Sequence, residues 1–230
     1  MNPATDAAPL GIALDHLVVA CRTLAAGRAW CEATFGVAPE PGGRHPLMAT
    51  HNALLGVASA RFPRAYLELI AIDPDAPAPG RARWFDLDVA ALQEALVEPR
   101  LVHWVARCAD IDRAAAALRG AGFDPGRIVD AERMTSRGLL RWRISVRDDG
   151  GRPAGGALPL LIEWGDVHPA DALPARGVVI ESLRVGGIDS ALAAQLGVEA
   201  MVVGAGPALS AVLAGPRGRV SLAAPTLAAP

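Results

Sequence analysis

An approximate internal repeat constrains the fold of this chain of 230 residues more than any other sequence feature. The segment LDHLVVA at residues 14–20 has a counterpart in LVHWVA at residues 101–106, and His103 follows His16 at an offset of 87 residues. Both segments are short, apolar and rich in β-branched residues, which predicts a β-strand in each. Repetition in one register indicates two copies of one supersecondary unit.

The stretches after these two strands also correspond. Thr23 and Asp110 are residue types preferred at helix N-caps, and an alanine-rich stretch follows each of them. A glycine ends each stretch, which is typical of a helix C-terminus. Helices are therefore expected over residues 24–35 and 111–119.

Each copy closes with an apolar strand that contains one glutamate. Glu68 lies within residues 66–71, and Glu163 lies within residues 160–164. Two more strands fit between the helix and the closing strand of each copy. They are expected near residues 36–41 and 51–57 in the first copy and over 127–132 and 139–146 in the second. Each copy is therefore a βαβββ unit.

This pattern predicts an α+β fold with two βαβββ modules, over residues 12–72 and 100–168. Residues 73–99 are a helical linker, with a helix expected over 84–99. Residues 175–230 are expected to form a C-terminal α/β extension or a partial third module. In that extension, the expected elements are a strand over 178–185, a helix from Asp189 to about Gly197, and strands over 201–203, 208–213 and 217–222. The absence of a histidine on its first strand favours an appendage that covers a sheet edge or forms a dimer contact.

Composition limits the classes of function. The net charge is −2 and there is no basic stripe, so nucleic acid is not an expected partner. The longest uncharged run, residues 200–216, is shorter than the roughly 20 residues that a membrane-spanning helix needs. The first residues lack the pattern of a signal peptide. Three cysteines are typical of reduced thiols. A soluble cytoplasmic protein is expected.

Four motifs, taken with the duplicated unit, resemble one known family. They are LDHLVV at 14–19, GGRHP at 42–46, THN at 50–52 and YLELI at 66–70. Together they resemble the glyoxalase-like domain family of the vicinal oxygen chelate superfamily, which includes glyoxalase I, extradiol dioxygenases and bleomycin-resistance proteins. The resemblance implies that the paired modules curve into an open half-barrel around a cavity.

The resemblance also implies a metal site. Superfamily members that bind metal place ligands on the first and last strands of each module, and the matching positions here are His16, Glu68, His103 and Glu163. Two imidazoles with one or two carboxylates suit Zn²⁺, Ni²⁺, Co²⁺, Mn²⁺ or Fe²⁺. A glutamate is seldom fully buried unless it is paired or coordinates a metal. The alternative is therefore a metal-free polar centre, in which each glutamate pairs with a histidine.

Four further residues are candidates for substrate binding: Arg44, His45, His51 and Asn52. A guanidinium matches an anionic group, and a histidine near its ordinary pKa serves as a general acid or base. The alternative for residues 42–46 is a strand-connecting turn, in which the glycines supply positive φ. The second module carries four arginines that could face an acidic ligand: Arg133, Arg137, Arg141 and Arg143. Alternation puts Arg141 and Arg143 on the face opposite to Trp142 and Ile144, so the arginines are expected to be solvated.

Three functions remain open. The first is a metal-dependent lyase or isomerase of the glyoxalase type, in which Glu68 or Glu163 moves a proton beside a carbonyl group. The second is non-catalytic binding or sequestration of a small molecule. The third is an extradiol-type oxygenase that uses His16, His103 and Glu163 as ligands. The expected partners are a small-molecule substrate or ligand and a second copy in a homodimer.

Overall fold

The fold is seen in a computed structural model, which describes residues 10–135, 138–188, 190–195, 202–204 and 206–227. The first βαβββ unit follows the order that the repeat predicts. Its elements are β1 (Ala13–Ala20), α1 (Leu24–Phe35), β2 (Glu40–His45), β3 (Thr50–Gly56) and β4 (Tyr66–Ile72). Thr23 is the N-cap of α1, because its side chain accepts a hydrogen bond from the Ala26 N–H at 3.1 Å.

The second unit repeats the first after a short linker helix, α2 (Ala90–Ala95). Its elements are β5 (Arg100–Arg107), α3 (Ile111–Gly120), β6 (Arg127–Thr135), β7 (Gly138–Val146) and β8 (Leu160–Trp164). Asp110 is the N-cap of α3 and accepts a hydrogen bond from the Arg113 N–H at 2.9 Å.

Both units contribute to one sheet of eight strands, in the order β2-β3-β4-β1-β5-β8-β7-β6. Within each unit the first strand pairs in parallel with the last, and β1 pairs with β5 in antiparallel fashion. The two modules therefore join within one chain. The sheet curls into an open half-barrel, which confirms the predicted α+β architecture.

The two faces of the sheet are buried differently. On the outer face, Leu17, Leu69, Trp104 and Leu161 belong to a core that includes residues of α1 and α3. On the inner face, a second apolar cluster combines strand residues with residues of the linker. The linker contributes Trp84, Phe85, Leu87, Leu92 and Leu96 to this cluster. The linker therefore fills part of the concave side of the half-barrel.

The linker is less helical than expected. A short 3₁₀ turn spans Trp84–Asp86, and α2 begins only at Ala90. Phe85 and Asp86 have φ values of 61° and 59°, which interrupt a continuous helix. Asp88 does not cap α2, because its carboxylate accepts hydrogen bonds from the backbone and side chain of Arg83.

The GGRHP stretch is not a turn between strands. Its first four residues lie in β2, and the pairing of β2 with β3 shifts register between Pro41 and Arg44. The two glycines therefore form an irregular part of an edge strand. This corrects the interpretation of residues 42–46 as a strand-connecting turn. It also corrects the position of the second strand of the module, which was expected near residues 36–41 and spans Glu40–His45.

The C-terminal extension forms a second sheet against the outer face. Its elements are β9 (Val179–Gly186), α4 (Ser190–Gln195), β10 (Val202–Gly204), β11 (Leu209–Gly215) and β12 (Gly218–Ala223), and its strand order is β10-β9-β11-β12. Ile180, Leu183 and Leu213 join the core of the outer face. Asp189, Gly197 and Met201, which the sequence places at the expected ends of a helix and a strand, lie outside the described residues.

The extension shares the order of elements of a module but not its strand pairing. Strand β9 lies between β10, which is parallel to it, and β11, which is antiparallel. In the two modules, by contrast, the first strand lies beside the last strand. Among the described helices, none combines the length and the hydropathy that crossing a membrane requires.

Candidate functional site

Two parallel neighbouring strands bring His16 and Glu68 together. The register pairs His16 of β1 with Tyr66 of β4, and Val18 with Glu68. Alternation along each strand directs His16, Tyr66 and Glu68 to the inner face. The His16 Nε2 and Glu68 Oε2 atoms lie 3.5 Å apart, and the His16 ring stacks on Tyr66 with centroids 4.6 Å apart. An acid and a base therefore face each other in the half-barrel.

Asp15 supports His16 from within the sheet. The pairing of β1 with β5 shifts register at Asp15, so that its side chain reaches the imidazole of its neighbour in sequence. The Oδ1 atom of Asp15 lies 2.7 Å from His16 Nδ1. Its Oδ2 atom lies 3.0 Å from Trp164 Nε1 and 2.8 Å from His168 Nε2. The Nδ1 atom of His168 accepts a hydrogen bond from the Ala170 N–H, so Nε2 carries the proton that His168 donates to Asp15.

These contacts fix the charges of the site. Burial favours neutral His16, but hydrogen bonds and charges of Asp15 and Glu68 outweigh it and raise the His16 pKa to about 9. Burial likewise opposes ionisation of Glu68, yet its contacts with His16 and Asn52 hold its pKa below the ordinary value. Asp15 is fully buried, and its two histidine partners hold its pKa low despite that burial. At neutral pH, His16 is an imidazolium and Glu68 a carboxylate.

Residues from β2 and β3 orient Glu68. The Asn52 amide donates from Nδ2 to Glu68 Oε1 at 2.5 Å, and its Oδ1 accepts from the Gly43 N–H at 2.7 Å. Burial lowers the pKa of His45 to about 4 despite the opposing charge of Glu68, so this ring is neutral. Its Nε2 lies 3.3 Å from Asn52 Nδ2, and its Nδ1 lies 3.0 Å from Thr50 Oγ1. The predicted ligand-binding residues His45 and Asn52 therefore do lie at the cavity.

The cavity has a narrow inner part beside a wider groove. The inner part has a volume of ≈ 40 Å³, which holds about three water molecules. His16, Glu68 and three tryptophans are among the residues that line it: Trp84, Trp142 and Trp164. The adjoining groove has a volume of ≈ 760 Å³ and shares four lining residues with the inner part: Leu54, Arg133, Leu140 and Pro169. A ligand in the groove can therefore extend one end toward Glu68.

Arg133 reaches into this cavity from the second module, which corrects the expectation that it is solvated. It lies on β6, and its guanidinium fits against Gly43 on β2, so the two edge strands approach each other across the open side of the half-barrel. The Nε and Nη1 atoms of Arg133 are inaccessible and have no hydrogen-bond partner among the described residues. Arg141 and Arg143 pair instead with Glu132 and Asp112 at the surface, and Arg137 lies outside the described residues.

The other two predicted metal ligands do not face the same cavity. Glu163 points to the outer face, where its Oε2 accepts a hydrogen bond from the Ile111 N–H at the start of α3, at 2.8 Å. His103 is fully buried beneath the linker, with its ring centroid 5.4 Å from that of Phe85. Neither ring nitrogen of His103 has a partner in the described part of the chain, and burial lowers its pKa to about 3.

His16 and Glu68 are therefore the only two of the four predicted ligands that the fold brings together. Across the described residues, no group of three or more histidine, cysteine, aspartate or glutamate side chains is arranged to hold a metal ion. The donor set does not fit the four-ligand centre that the resemblance implies.

Arg44 and His51 lie away from His16 and Glu68. Arg44 is 58% exposed at its side chain and pairs with Asp73 and Asp75 at 2.7 and 3.0 Å beside the wider groove. His51 lies between Thr50 and Asn52 and points to the opposite face of β3, because side chains alternate along a strand.

Four residues of the site were not among the sequence candidates: Asp15, Tyr66, Arg133 and His168. Asp15 carries a signal that could have identified it, because it is a charged residue inside the apolar motif LDHLVV. Tyr66 is the only tyrosine of the chain and begins the YLELI motif. Burial and the neighbouring carboxylates raise its pKa well above the ordinary value, so its hydroxyl stays neutral. Arg133 was considered only as one of the arginines of the second module and was expected to be solvated. His168 carries no comparable signal, because only the curled sheet brings these two residues to the cavity.

Comparison with known proteins agrees with this geometry. A family model described as a glyoxalase-like domain matches residues 14–201. The chain belongs to the glyoxalase-like domain family. The resemblance of its motifs to that family is thereby confirmed. No curated protein sequence matches this glyoxalase-like protein.

Several solved structures are similar to this glyoxalase-like protein. A hypothetical protein from Staphylococcus aureus has a TM-score of 0.53 at 14% identity, and the match covers 94% of this chain and 87% of that one. Methylmalonyl-CoA epimerase from Mycobacterium tuberculosis has a TM-score of 0.43 at 21% identity, with coverage of 72% and 95%. The Streptomyces coelicolor epimerase in complex with 2-nitronate-propionyl-CoA has a TM-score of 0.42 at 20% identity, with coverage of 67% and 96%.

Proposed function

We propose that this glyoxalase-like protein catalyses proton transfer at a carbon next to a carbonyl group, as a lyase or isomerase of small oxygenated substrates. The observation that carries the proposal is the contact between His16 and Glu68 within the cavity. The two groups have the charges that such a reaction needs, an ionised carboxylate as base and an imidazolium as acid.

In the proposed reaction, Glu68 takes the proton from the carbon next to the carbonyl. The electron pair of the broken C–H bond moves into the adjacent C–C bond, and the carbonyl oxygen gains negative charge. His16 donates a hydrogen bond or its proton to that oxygen. For a substrate with a hydroxyl on the carbon that lost its proton, Glu68 returns the proton to the former carbonyl carbon. That hydroxyl then gives its proton to His16 and becomes the new carbonyl, so both residues regain their starting states and an isomerisation is complete. A positioned group of this kind contributes about 10²- to 10⁴-fold to the rate.

The remaining contacts position these two groups. The Asn52 amide holds one carboxylate oxygen of Glu68 and leaves the other toward His16. Asp15 binds the far nitrogen of His16, which directs Nε2 to the cavity and stabilises the imidazolium. Asp15 and Asn52 are thus positioning residues, because each acts through a neighbour.

The proposed reaction does not use a metal ion. A metal-dependent reaction with the predicted ligands needs His103 and Glu163 in the cavity, and the fold uses both elsewhere. The positive charge beside the developing oxyanion comes from His16. The extradiol-type alternative needs the same two residues beside His16, so the arrangement supports it less.

Non-catalytic binding is the second candidate function. The adjoining groove of ≈ 760 Å³ lies within the range of small-molecule sites, about 300–1,000 Å³. A protein that only sequesters a ligand would use this groove and would leave the ligand chemically unchanged.

Hydrogen exchange separates the two candidates. Small 2-oxo and 3-oxo acids and their esters would be incubated with the protein in D₂O, and loss of the α-proton signal followed by NMR. The wild type should accelerate exchange, and Glu68→Gln should lower the rate about 100-fold or more. Glu132→Gln, on the exposed face of β6, is the matched control and should keep the rate. An unchanged rate in Glu68→Gln would contradict the proposal, and binding without exchange would favour sequestration.

A further inference from the structure

Arg133 places a positive charge in the wall of the cavity without a matching anion. Its Nε and Nη1 atoms are closed off from solvent and find no acceptor among the described residues. A guanidinium stays protonated in proteins, so the charge cannot be avoided by losing a proton. A partly desolvated cation without a partner is unfavourable. The third guanidinium nitrogen, Nη2, is not among the closed-off atoms, so a ligand in the cavity can supply the partner there.

The carboxylate whose charge acts on Arg133, that of Glu68, is already engaged by other partners. Of the Glu68 carboxylate oxygens, Oε1 accepts from Asn52 and Oε2 faces His16. No ion pair within 4.0 Å joins Arg133 to an acidic side chain in the described part of the chain. Glu68 therefore influences Arg133 through space but does not satisfy its N–H donors.

Arg133 also stands at the passage between the two parts of the cavity. It lines both the inner part, beside Glu68, and the adjoining groove. A group bound to this guanidinium therefore places the next atoms of the same molecule close to the reacting pair.

We propose that Arg133 binds a carboxylate of the substrate, which makes the substrate class of this site small carbonyl compounds that carry a carboxylate group. The inference rests on the proposed function for the reacting end of the molecule, but binding of the carboxylate is a separate property. Arginine suits this role because its planar N–H groups match carboxylate oxygens and keep their charge at every physiological pH.

Gly43 makes room for the guanidinium. A Cβ atom at this position would lie 1.4 Å from Arg133 Nη1, so any other side chain would displace that group. The clash involves the end of a flexible side chain, and the Gly43 backbone does not need a left-handed conformation. Gly43→Ala therefore moves the charge without removing it and without opposing the strand.

Binding of matched ligand pairs tests the proposal. The pairs are acetoacetate with acetoacetamide and pyruvate with pyruvamide, which differ in charge and little in shape. Tryptophan fluorescence reports binding because Trp84, Trp142 and Trp164 line the cavity, and titration calorimetry provides a second readout. The wild type should bind at least one carboxylate about tenfold or more tightly than its amide, since hydrogen bonds to charged groups are the stronger ones.

Arg133→Gln should abolish this preference, and Gly43→Ala should reduce it several-fold. Two control variants should keep it. Arg141→Gln removes the same charge from the exposed face of the same hairpin, and Gly80→Ala adds a methyl group where nothing lies within 4 Å. Circular dichroism establishes that each variant is folded, and Gly43→Ala preserves the test if Arg133→Gln does not fold.

The outcome separates this inference from the proposed function. Glu68→Gln should lose hydrogen exchange yet keep the preference for carboxylates, because Arg133 is intact. A preference that survives in both Arg133→Gln and Gly43→Ala would overturn the inference. So would a wild type that binds neither carboxylate better than its amide. Loss of the preference in Arg133→Gln, with unchanged exchange in Glu68→Gln, would support the binding site and contradict the proposed chemistry.

Discussion

The His168 imidazole donates a hydrogen bond to Asp15 at 2.8 Å, although the two residues are 153 positions apart in the chain. The same buried carboxylate binds His16 at 2.7 Å through its other oxygen. The segment after the last strand of the second module is thereby tied to the first strand of the first module. Stability and the alignment of the candidate acid therefore depend on one carboxylate.

Asp15→Asn tests this dependence. The substitution keeps the shape of the side chain but removes the charge between two histidines. Loss of one partner from a buried ion pair costs about 3–5 kcal/mol, so the free energy of unfolding should fall by that order. Urea denaturation measures the change. Asp148→Asn is the control, because Asp148 is 67% exposed and its surface pairs should contribute less than about 1 kcal/mol. Equal effects of the two substitutions would contradict the role given to Asp15.

The raised pKa of His16 predicts a loss of stability on the alkaline side. The ordinary pKa is 6.5 and the folded value is about 9, so the folded state holds this proton more tightly than the unfolded state. The resulting stabilisation is complete below pH 6.5, declines as the pH rises toward 9, and is absent above it. It amounts to about 3 kcal/mol at one pKa unit per 1.36 kcal/mol.

Urea denaturation between pH 6 and 8.5 measures this slope, and His16→Gln should flatten it. The window ends there because burial raises the pKa of the Cys21, Cys31 and Cys108 thiols from 9.0 to about 12, which adds a separate loss of stability at higher pH. Asp15 and Glu68 have lowered pKa values, so their stabilisation is present above their ordinary pKa and is lost only as the pH falls below it. They do not contribute to the alkaline slope. If the free energy of unfolding of His16→Gln fell with pH as steeply as that of the wild type, another group would be responsible.

Glu163→Ala should affect stability and leave the reaction unchanged. Its carboxylate accepts the Ile111 N–H at the beginning of α3, and loss of such a cap costs about 1 kcal/mol. The rate of hydrogen exchange should stay within about twofold of the wild type, because the side chain points away from the cavity. Denaturation and exchange would be measured on the same preparation. If Glu163→Ala lost hydrogen exchange as fully as Glu68→Gln, Glu163 would have to act in the reaction.

His103→Leu should not destabilise the protein. The histidine is fully buried with both ring nitrogens unpartnered among the described residues, and such groups cost about 1–3 kcal/mol. A leucine packed against Phe85 should therefore raise the free energy of unfolding by about 1 kcal/mol. His168→Leu is the control and should be destabilising, because both nitrogens of His168 have partners.

The same variant should reduce the loss of stability in acid. His103 stays neutral in the folded state down to a pH of about 3, whereas an unfolded histidine takes up a proton below pH 6.5. This difference destabilises the fold as the pH falls through that window. An acid slope unchanged in His103→Leu would contradict the assignment of a neutral buried ring.

The sequence predicted the strands and helices well because apolar periodicity and caps are local properties. Thr23 and Asp110 begin helices where expected, and the repeat correctly predicted two modules with equivalent first strands. His16, Glu68 and Asn52 were also recognised, since each lies on the inner face of a regular strand. The repeat, the glutamate inside an apolar strand and the family resemblance singled these residues out, and alternation then places them on one face.

The remaining features depend on contacts that local patterns do not contain. The repeat predicted that His103 is equivalent to His16. The pairing of β5 with β1 shifts register next to His103, however, and the linker residue Phe85 packs against its ring. The sequence matched Glu163 with Glu68. In the parallel pairs, however, Val18 lies beside Glu68 and its equivalent Val105 lies beside Leu160. The structural counterpart of Glu68 is therefore Leu160 and not Glu163. Arg133 became visible only once the curled sheet brought β6 toward β2.

The linker between the modules also determines how large a molecule the protein admits. Trp84 and Phe85 line the inner cavity, and the leucines that follow occupy the rest of the concave face. Without this segment, the concave side of the eight-stranded sheet would enclose a wider cavity. The segment reduces the inner part beside Glu68 to ≈ 40 Å³. Substrate size is thus limited by the chain that connects the two halves, and altering that connection would widen the inner part without touching His16 or Glu68.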